Sequence, residues 1–245
     1  MWREDNKQFH MSRRSLQALF VTTAFVVGLT IDQAIKIWVK TNMWLHQSID
    51  ITSWFHINFI ENNGMAFGME FFDKFLLTGF RIVATAFVAF YVARIIRRGV
   101  SWGYLACLTL IMTGAAGNII DCVFYGLIFD SPAPPQVAQL VPFGQGYGEW
   151  FRGRVVDMFY FPLAEWTWPQ WMPFVGGEQG LFFSYIFNFA DACISTGVIA
   201  LVLFYRQTLA VELGDKPATA IEANAQTTDT ATASDTQAET DDTQD

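Results

Sequence analysis

Cysteine is scarce in this chain of 245 residues: Cys107, Cys122 and Cys193 each lie in or beside an apolar run, without metal-type spacing and without a pairing pattern. That excludes a disulfide framework and leaves three buried thiols acting as small hydrophobes. Histidine is equally sparse, and none of His10, His46 and His56 lies in a motif, which argues against cysteine-nucleophile chemistry. An excess of basic residues is also missing, so no nucleic-acid partner is expected. The formal charge of −8 belongs to the end of the chain: nine of the 23 acidic residues and one of the 15 basic ones lie from Glu212 onward, so residues 1–211 are neutral with fourteen of each. From about Gly214 aromatic residues are absent and aliphatic bulk is nearly so, leaving Thr, Ala, Asp, Gln and Glu. Such a segment cannot bury enough apolar surface to offset its ordering entropy, and 212–245 is expected to be a disordered acidic tail. Internal repeats are missing as well.

What the chain does have is apolar bulk. It is 52% hydrophobic, with a mean hydropathy of +0.27, and the apolar residues come in blocks, the composition of a polytopic membrane protein. A bilayer core needs about 20 apolar residues of helix, and four segments qualify: about 15–39, 75–96, 102–129 and 181–205. The first lacks a small-residue cleavage site before Asp32 and is expected to remain as a helix. Arg3, Lys7, Arg13 and Arg14 precede it, and Arg94, Arg97 and Arg98 separate the second and third segments. Basic flanks stay in the cytoplasm, so both termini are expected there and the connections 40–74 and 130–180 outside. The expectation is therefore an all-α, four-span membrane domain over 1–211. It carries a small extracytoplasmic β element, because Asp50 to Ile60 is β-prone and Gly64 follows as a turn. The second outer connection holds seven prolines along with Trp150, Trp166, Trp168 and Trp171, and is expected to lie on the membrane surface.

Polar residues interrupt the apolar background in five short clusters. Asp32-Gln33-Ala34-Ile35-Lys36 ends the first span, with Asp32 and Lys36 one turn apart; by itself it reads as a helix-end ion pair with Lys36 snorkelling outward. Glu61-Asn62-Asn63-Gly64 with Ala66-Phe67 reads as a turn in the first outer connection. In Gly114-Ala115-Ala116-Gly117-Asn118-Ile119-Ile120-Asp121 the glycines allow close helix packing, but packing does not explain Asn118 and Asp121 on one face. The last two clusters are Val155-Val156-Asp157 and Phe187-Asn188-Phe189-Ala190-Asp191. A carboxylate inside a membrane span costs at least ~2.5 kcal/mol and normally faces protein or a water-filled cavity, so Asp191 with Asn188 is a functional candidate, and Asp157 joins it as a possible acid/base partner.

Taken in order and spacing from Asp32 to Ser195, these clusters resemble the lipoprotein signal peptidase (signal peptidase II) family. The matching elements are Asp32-Gln33 with Lys36, Asn62 with Gly64 and Ala66-Phe67, Gly117-Asn118 with Asp121, Val155-Val156-Asp157, and Phe187-Asn188 with Ala190-Asp191. The resemblance implies an intramembrane aspartyl endopeptidase that cuts the signal peptide from a diacylglyceryl-modified prolipoprotein just before the lipidated cysteine. It further implies a catalytic dyad of Asp157 and Asp191, and supporting or substrate-binding roles for Asp32, Lys36, Asn62, Gly64, Asn118, Asp121 and Asn188. No metal or organic cofactor is implied, and a monomer working in membrane lipid is expected. One position departs: the family commonly carries Arg directly after the aspartate matching Asp121, and this chain has Cys122. Arg152 or Arg154 is expected to stand in. The rival reading, a proton- or cation-coupled transporter, is disfavoured by four spans without an inverted repeat; a non-catalytic scaffold would leave the clustered polar residues unexplained.

Overall fold

The computed structural model describes residues 11–63 and 74–214; Gly64 and the tail beyond Gly214 lie outside the described residues. One compact unit runs through Ile199 and a second begins at Ala200.

In the first unit, helix α1 (Arg13–Asn42) starts where the Ser12 hydroxyl accepts from the Ser15 amide, and α3 (Trp102–Ile120) starts in the same way at Ser101, which accepts from Tyr104. A hydroxyl at that position satisfies one of the amides a helix start leaves unpaired. Helix α2 (Lys74–Ile96) lies between them in sequence. After α3 the chain widens into a π-helical turn, Asp121–Tyr125, and closes with the short α4, Gly126–Ile128. By length and composition three helices are able to cross a membrane: Arg13–Asn42, Lys74–Ile96 and Trp102–Ile128. Their exposed residues include Phe80, Val83, Phe87 and Phe90 on α2, as expected of a lipid-facing surface.

The fourth expected span begins later than residue 181. Gln179–Phe182 is strand β5, paired antiparallel with β4 (Ala164–Thr167), and Ile186–Phe187 is strand β6. Helix α5 starts only at Phe189 and ends at Phe204, sixteen residues, and a bend of 86° separates it from α6, Arg206–Leu213. The run from Leu181 to Phe187 is apolar but dense in aromatic residues. Its two ends, 181–182 and 186–187, are taken up by strand pairing, and Asn188 then starts the helix. In the second unit α6 ends at Gly214, whose φ of 102° is left-handed and suits glycine at a helix C-terminus.

The expected β element is larger than a hairpin. Strands β1 (Ser48–Thr52) and β2 (Phe55–Asn62) pair antiparallel, and β3 (Val155–Tyr160) and β6 extend them to a four-stranded sheet of order β1-β2-β3-β6. The sheet thus joins the connection after α1 to the one before α5. One face packs Phe59, Val156 and Met158 against Val39 and Met43 at the end of α1 and Tyr125 and Phe129 at the end of α3 and α4, the buried core nearest the site. The second connection is docked as well: the Gly153 and Gly148 amides donate to the Cys122 and Gly126 carbonyls, each at 2.8 Å. These are carbonyls that a π turn and a helix end leave without helical partners.

Candidate active site

Asp157 lies on β3 with 2% exposure, the third of the strand's six residues. The Asn62 amide, two residues along the neighbouring strand from the position opposite it, donates to its Oδ2 at 3.2 Å. The Asn188 amide donates to its Oδ1 at 2.5 Å.

Asn188 is not within a helical face, as its spacing from Asp191 suggests. It is the residue that starts α5: its carbonyl accepts from Ala192, its Oδ1 accepts from the Asp191 amide at 2.9 Å, and its own amide donates to Asp191 Oδ2 at 3.4 Å. This reciprocal pair is a capping box with Asn and Asp in place of Ser and Glu. It places Asp191 in the first turn, where the helix dipole favours negative charge. The second Asp191 oxygen accepts from Asn118 on α3 at 2.9 Å, and Asn118 Oδ1 accepts in turn from Asn188 at 3.2 Å. Three asparagines therefore hold the two carboxyl groups in one hydrogen-bonded network drawn from β2, β3, α3 and α5.

Beneath this network sits a buried charge cluster. Lys36 is fully buried, so it does not snorkel. Its ammonium lies 3.0 Å from Asp32 Oδ2, 2.8 Å from Asp121 Oδ2 and 2.8 Å from Asn118 Oδ1. Burial of a lone ammonium would be prohibitive, and two carboxylates with an amide oxygen satisfy its three donors. The Gln33 amide bridges the same carboxylates, 3.0 Å from Asp32 Oδ2 and 3.0 Å from Asp121 Oδ1, while its Oε1 accepts from the Tyr125 hydroxyl. Asp32 Oδ1 accepts from the Ala190 amide at 3.0 Å, tying the charge cluster to the helix start that carries Asp191. Gly117 permits this approach, since a Cβ there would overlap Asp32 Oδ2; Gly114 similarly lies against the Ala190 carbonyl.

All the expected site residues within the described chain thus meet: Asp157, Asp191, Asp32, Lys36, Asn62, Asn118, Asp121 and Asn188. Gly64 is outside the described residues. Two members escaped the reading of the sequence, Tyr125 and the backbone amide of Ala190; the only hint was that Tyr125 follows Asp121 by one helical turn. Of the two arginines expected beside Asp121, Arg154 is placed elsewhere. Arg154 turns to Glu61, 2.9 Å away, and the partner of Asp121 is Lys36; an α2 residue, Arg81, approaches the Cys122 sulfur at 3.5 Å. Lys36 wins because helical spacing presents it and Asp32 together to α3.

Electrostatically the site favours holding a proton. Burial, followed by the neighbouring Asp191 charge, raises the Asp157 carboxyl to about 7, against hydrogen bonds from Asn62 and Asn188 and the more distant Lys36, which favour its ionised form. Among the described residues no group of three or more His, Cys, Asp and Glu is arranged to hold a metal ion.

Comparison with known proteins puts this geometry in context. Residues 24–206 match the signal peptidase (SPase) II family. The chain is 51% identical over 201 residues to a lipoprotein signal peptidase of Porphyromonas gingivalis, covering 82% of this chain and 88% of that one. It is 35% identical over 195 residues to a lipoprotein signal peptidase of Amoebophilus asiaticus, covering 75% and 76%. A bacterial membrane enzyme solved by the in meso method at 2.3 Å resolution shares the fold with a TM-score of 0.50 at 19% identity, over 81% of this chain and 92% of that one. With apolar helices able to cross a membrane, and with a family match and half-identical relatives spanning most of its length, the chain belongs to the signal peptidase II family of membrane peptidases.

Proposed function

We propose that the chain is an intramembrane aspartyl endopeptidase that removes the signal peptide from diacylglyceryl-modified prolipoproteins, cutting just before the lipidated cysteine. The observation that carries this reading is the convergence of Asp157 and Asp191 on Asn188 and Asn118. Two carboxyl groups in one poorly solvated network cannot easily both ionise, so near neutral pH the pair holds one proton. The ionised member takes a proton from a bridging water as the water attacks the scissile carbonyl. The protonated member polarises that carbonyl and then protonates the leaving amine. These roles belong to the pair, since coupled groups titrate as a unit. Asn62, Asn118 and Asn188 hold the carboxyls in place, and Lys36 with Asp32, Gln33 and Asp121 supports them from below; Gly64 is assigned to substrate binding.

In this reading residues 1–211 form the membrane domain with four spans, the last ending with α5, and 212–245 is an acidic tail. Both termini are cytoplasmic, the four-stranded sheet is on the outer face, and the proline- and tryptophan-rich connection rests on the membrane surface. The enzyme works as a monomer. The signal helix enters between the spans while the diacylglyceryl chains stay in lipid, so the substrate need not leave the bilayer. The deciding experiment is cleavage of a lipidated preprotein in detergent micelles by the parent, Asp157→Asn and Asp191→Asn. Cleavage by the parent with loss in both variants is expected; undiminished cleavage by either variant would overturn the dyad.

A further inference from the structure

Behind the sheet, on the face away from Asp157, lies an ionic cluster that the family motifs do not include. Glu61, with 6% side-chain exposure, pairs with buried Lys40 from the last turn of α1 and with Arg154 at 2.9 Å from the residue before β3. The Lys40 ammonium also sits over the rings of Phe129 and Tyr147, 5.2 Å from each centroid, and the Arg154 guanidinium lies over the same Tyr147 ring at 4.9 Å. Tyr147 closes the cluster by accepting from the Arg154 amide at 2.6 Å. Three separate parts of the chain, α1, β2 and the docked outer connection, are therefore fastened at one carboxylate.

That carboxylate is the immediate neighbour of Asn62. Side chains alternate across a strand, so Glu61 and Asn62 point to opposite faces, and a slip of one residue would exchange them. The pairing makes a slip a real alternative: Ile57 lies opposite Phe159 and Ile60 opposite Asp157, so β2 carries one extra residue between them. Beyond this bulge, Glu61 opposite Val156 faces the core, and Asn62 opposite Val155 faces Asp157. Beyond the bulge β2 has only Ile60, Glu61 and Asn62, with no pair of apolar residues on one face to select the register. A carboxylate that must meet two cations selects it.

We infer that Lys40, Glu61 and Arg154 form a register clamp whose function is to present Asn62 to Asp157, making all three positioning residues for the peptidase reaction. The inference rests on the reading of Asp157 as half of the catalytic pair. It has a signature that a merely structural ion pair lacks. The charged groups acting on Asp157 are Asp191 at the start of α5 and Lys36 from α1, the latter paired with Asp32 and Asp121; Lys40, Arg154 and Lys74 surround Glu61 on the other side. Removing Glu61 exposes Asp157 to uncompensated positive charge, which through space would favour its ionised form and move the alkaline limb of the pH profile down. Releasing the clamp instead removes the Asn62 hydrogen bond, which favours the ionised form, and moves the same limb up.

The test is the pH dependence of kcat/KM for cleavage of a lipidated preprotein by the full-length protein. The variants are Asn62→Ala, Glu61→Ala, the double Glu61→Ala/Asn62→Ala and the charge-balanced Lys40→Met/Glu61→Leu. The last replaces the buried pair with apolar groups of similar size, a change that folded proteins commonly accept, so it reports on register even if Glu61→Ala does not fold. Asn62→Ala is expected to move the alkaline limb up by about one pH unit, the worth of a hydrogen bond to a charged group. Each folded Glu61 variant is expected to move it in the same direction, and the Glu61→Ala/Asn62→Ala double, if folded, no further than Asn62→Ala alone. A downward move, an unchanged limb in Lys40→Met/Glu61→Leu, or an additive shift in the double variant would overturn the clamp. These outcomes are separate from failure of the functional reading, which would show as absence of cleavage by the parent or as activity in Asp157→Asn.

Discussion

Asp157 carries the site's most distinctive residue-level consequence, because its carboxyl is raised to about 7 by burial and by Asp191. A carboxyl raised above its unfolded value of 3.8 contributes stability at low pH and loses it as pH rises toward 7. In thermal unfolding Asp157→Asn, which lacks this titration, should therefore gain on the parent as pH rises from about 4 to about 7 and keep that advantage above it. In cleavage, Asp157→Asn and Asp191→Asn each keep shape but lose proton chemistry, and turnover should fall by at least ~10²-fold with the protein still folded and inserted. Activity of the parent should also decline above about pH 7, where the pair gives up its remaining proton. Lys36 is the residue whose loss should damage folding most: Lys36→Met leaves Asp32 and Asp121 buried without their cation, a change worth about 3–5 kcal/mol, measurable as loss of thermal stability in detergent. Cys122→Ala, by contrast, removes a small thiol from a site whose aspartate is already paired and should be mild in both assays.

At the scale of elements, the start of α5 and the π turn after α3 do the positioning. The capping box makes Asp191 a product of where the helix begins, so Asn188→Ala should reduce cleavage twice over, by unfastening Asp157 and by loosening the first turn. The stability part of that loss should be about 1 kcal/mol in thermal unfolding, the usual worth of such a cap. The π turn depends on the connection before β3 to satisfy the Cys122 carbonyl. Gly153 lies so close that a Cβ would overlap the Asp121 carbonyl oxygen. Gly153→Ala should accordingly detach the connection and raise its protease sensitivity, measured by limited proteolysis, while the spans remain inserted. Neither element start was legible in the sequence. Hydropathy alone runs the fourth span back to residue 181, and only strand pairing at 179–182 and 186–187 moves the helix start to Phe189.

For the whole molecule, the site is assembled from α1, α3, β2, β3 and the start of α5, all within the unit that ends at Ile199. The acidic composition beyond Gly214 contributes none of these groups, so deletion of 215–245 should leave both cleavage and thermal stability of the purified protein unchanged. A large loss of activity in folded truncated protein would show that the tail takes part in the reaction. The sheet matters to the whole because it brings together residues about a hundred positions apart: Asn62 and Asp157 meet across one strand pair.

The sequence by itself determined the membrane class, the first three long apolar helices to within a few residues, the β-prone first connection, and the identity of the polar residues that converge. Each of these follows from local chemistry: apolar run length, basic flanks, and the cost of placing Asp and Asn in lipid. Only the tertiary structure decided that Lys36 is buried between Asp32 and Asp121, that Arg154 turns to Glu61 and leaves Asp121 to Lys36, and that Asn188 caps a helix instead of lying along one. Those choices depend on which elements pack together and in what register. Pairing geometry across distant segments is set by mutual burial and hydrogen-bond satisfaction, and a reading of local spacing has no access to it.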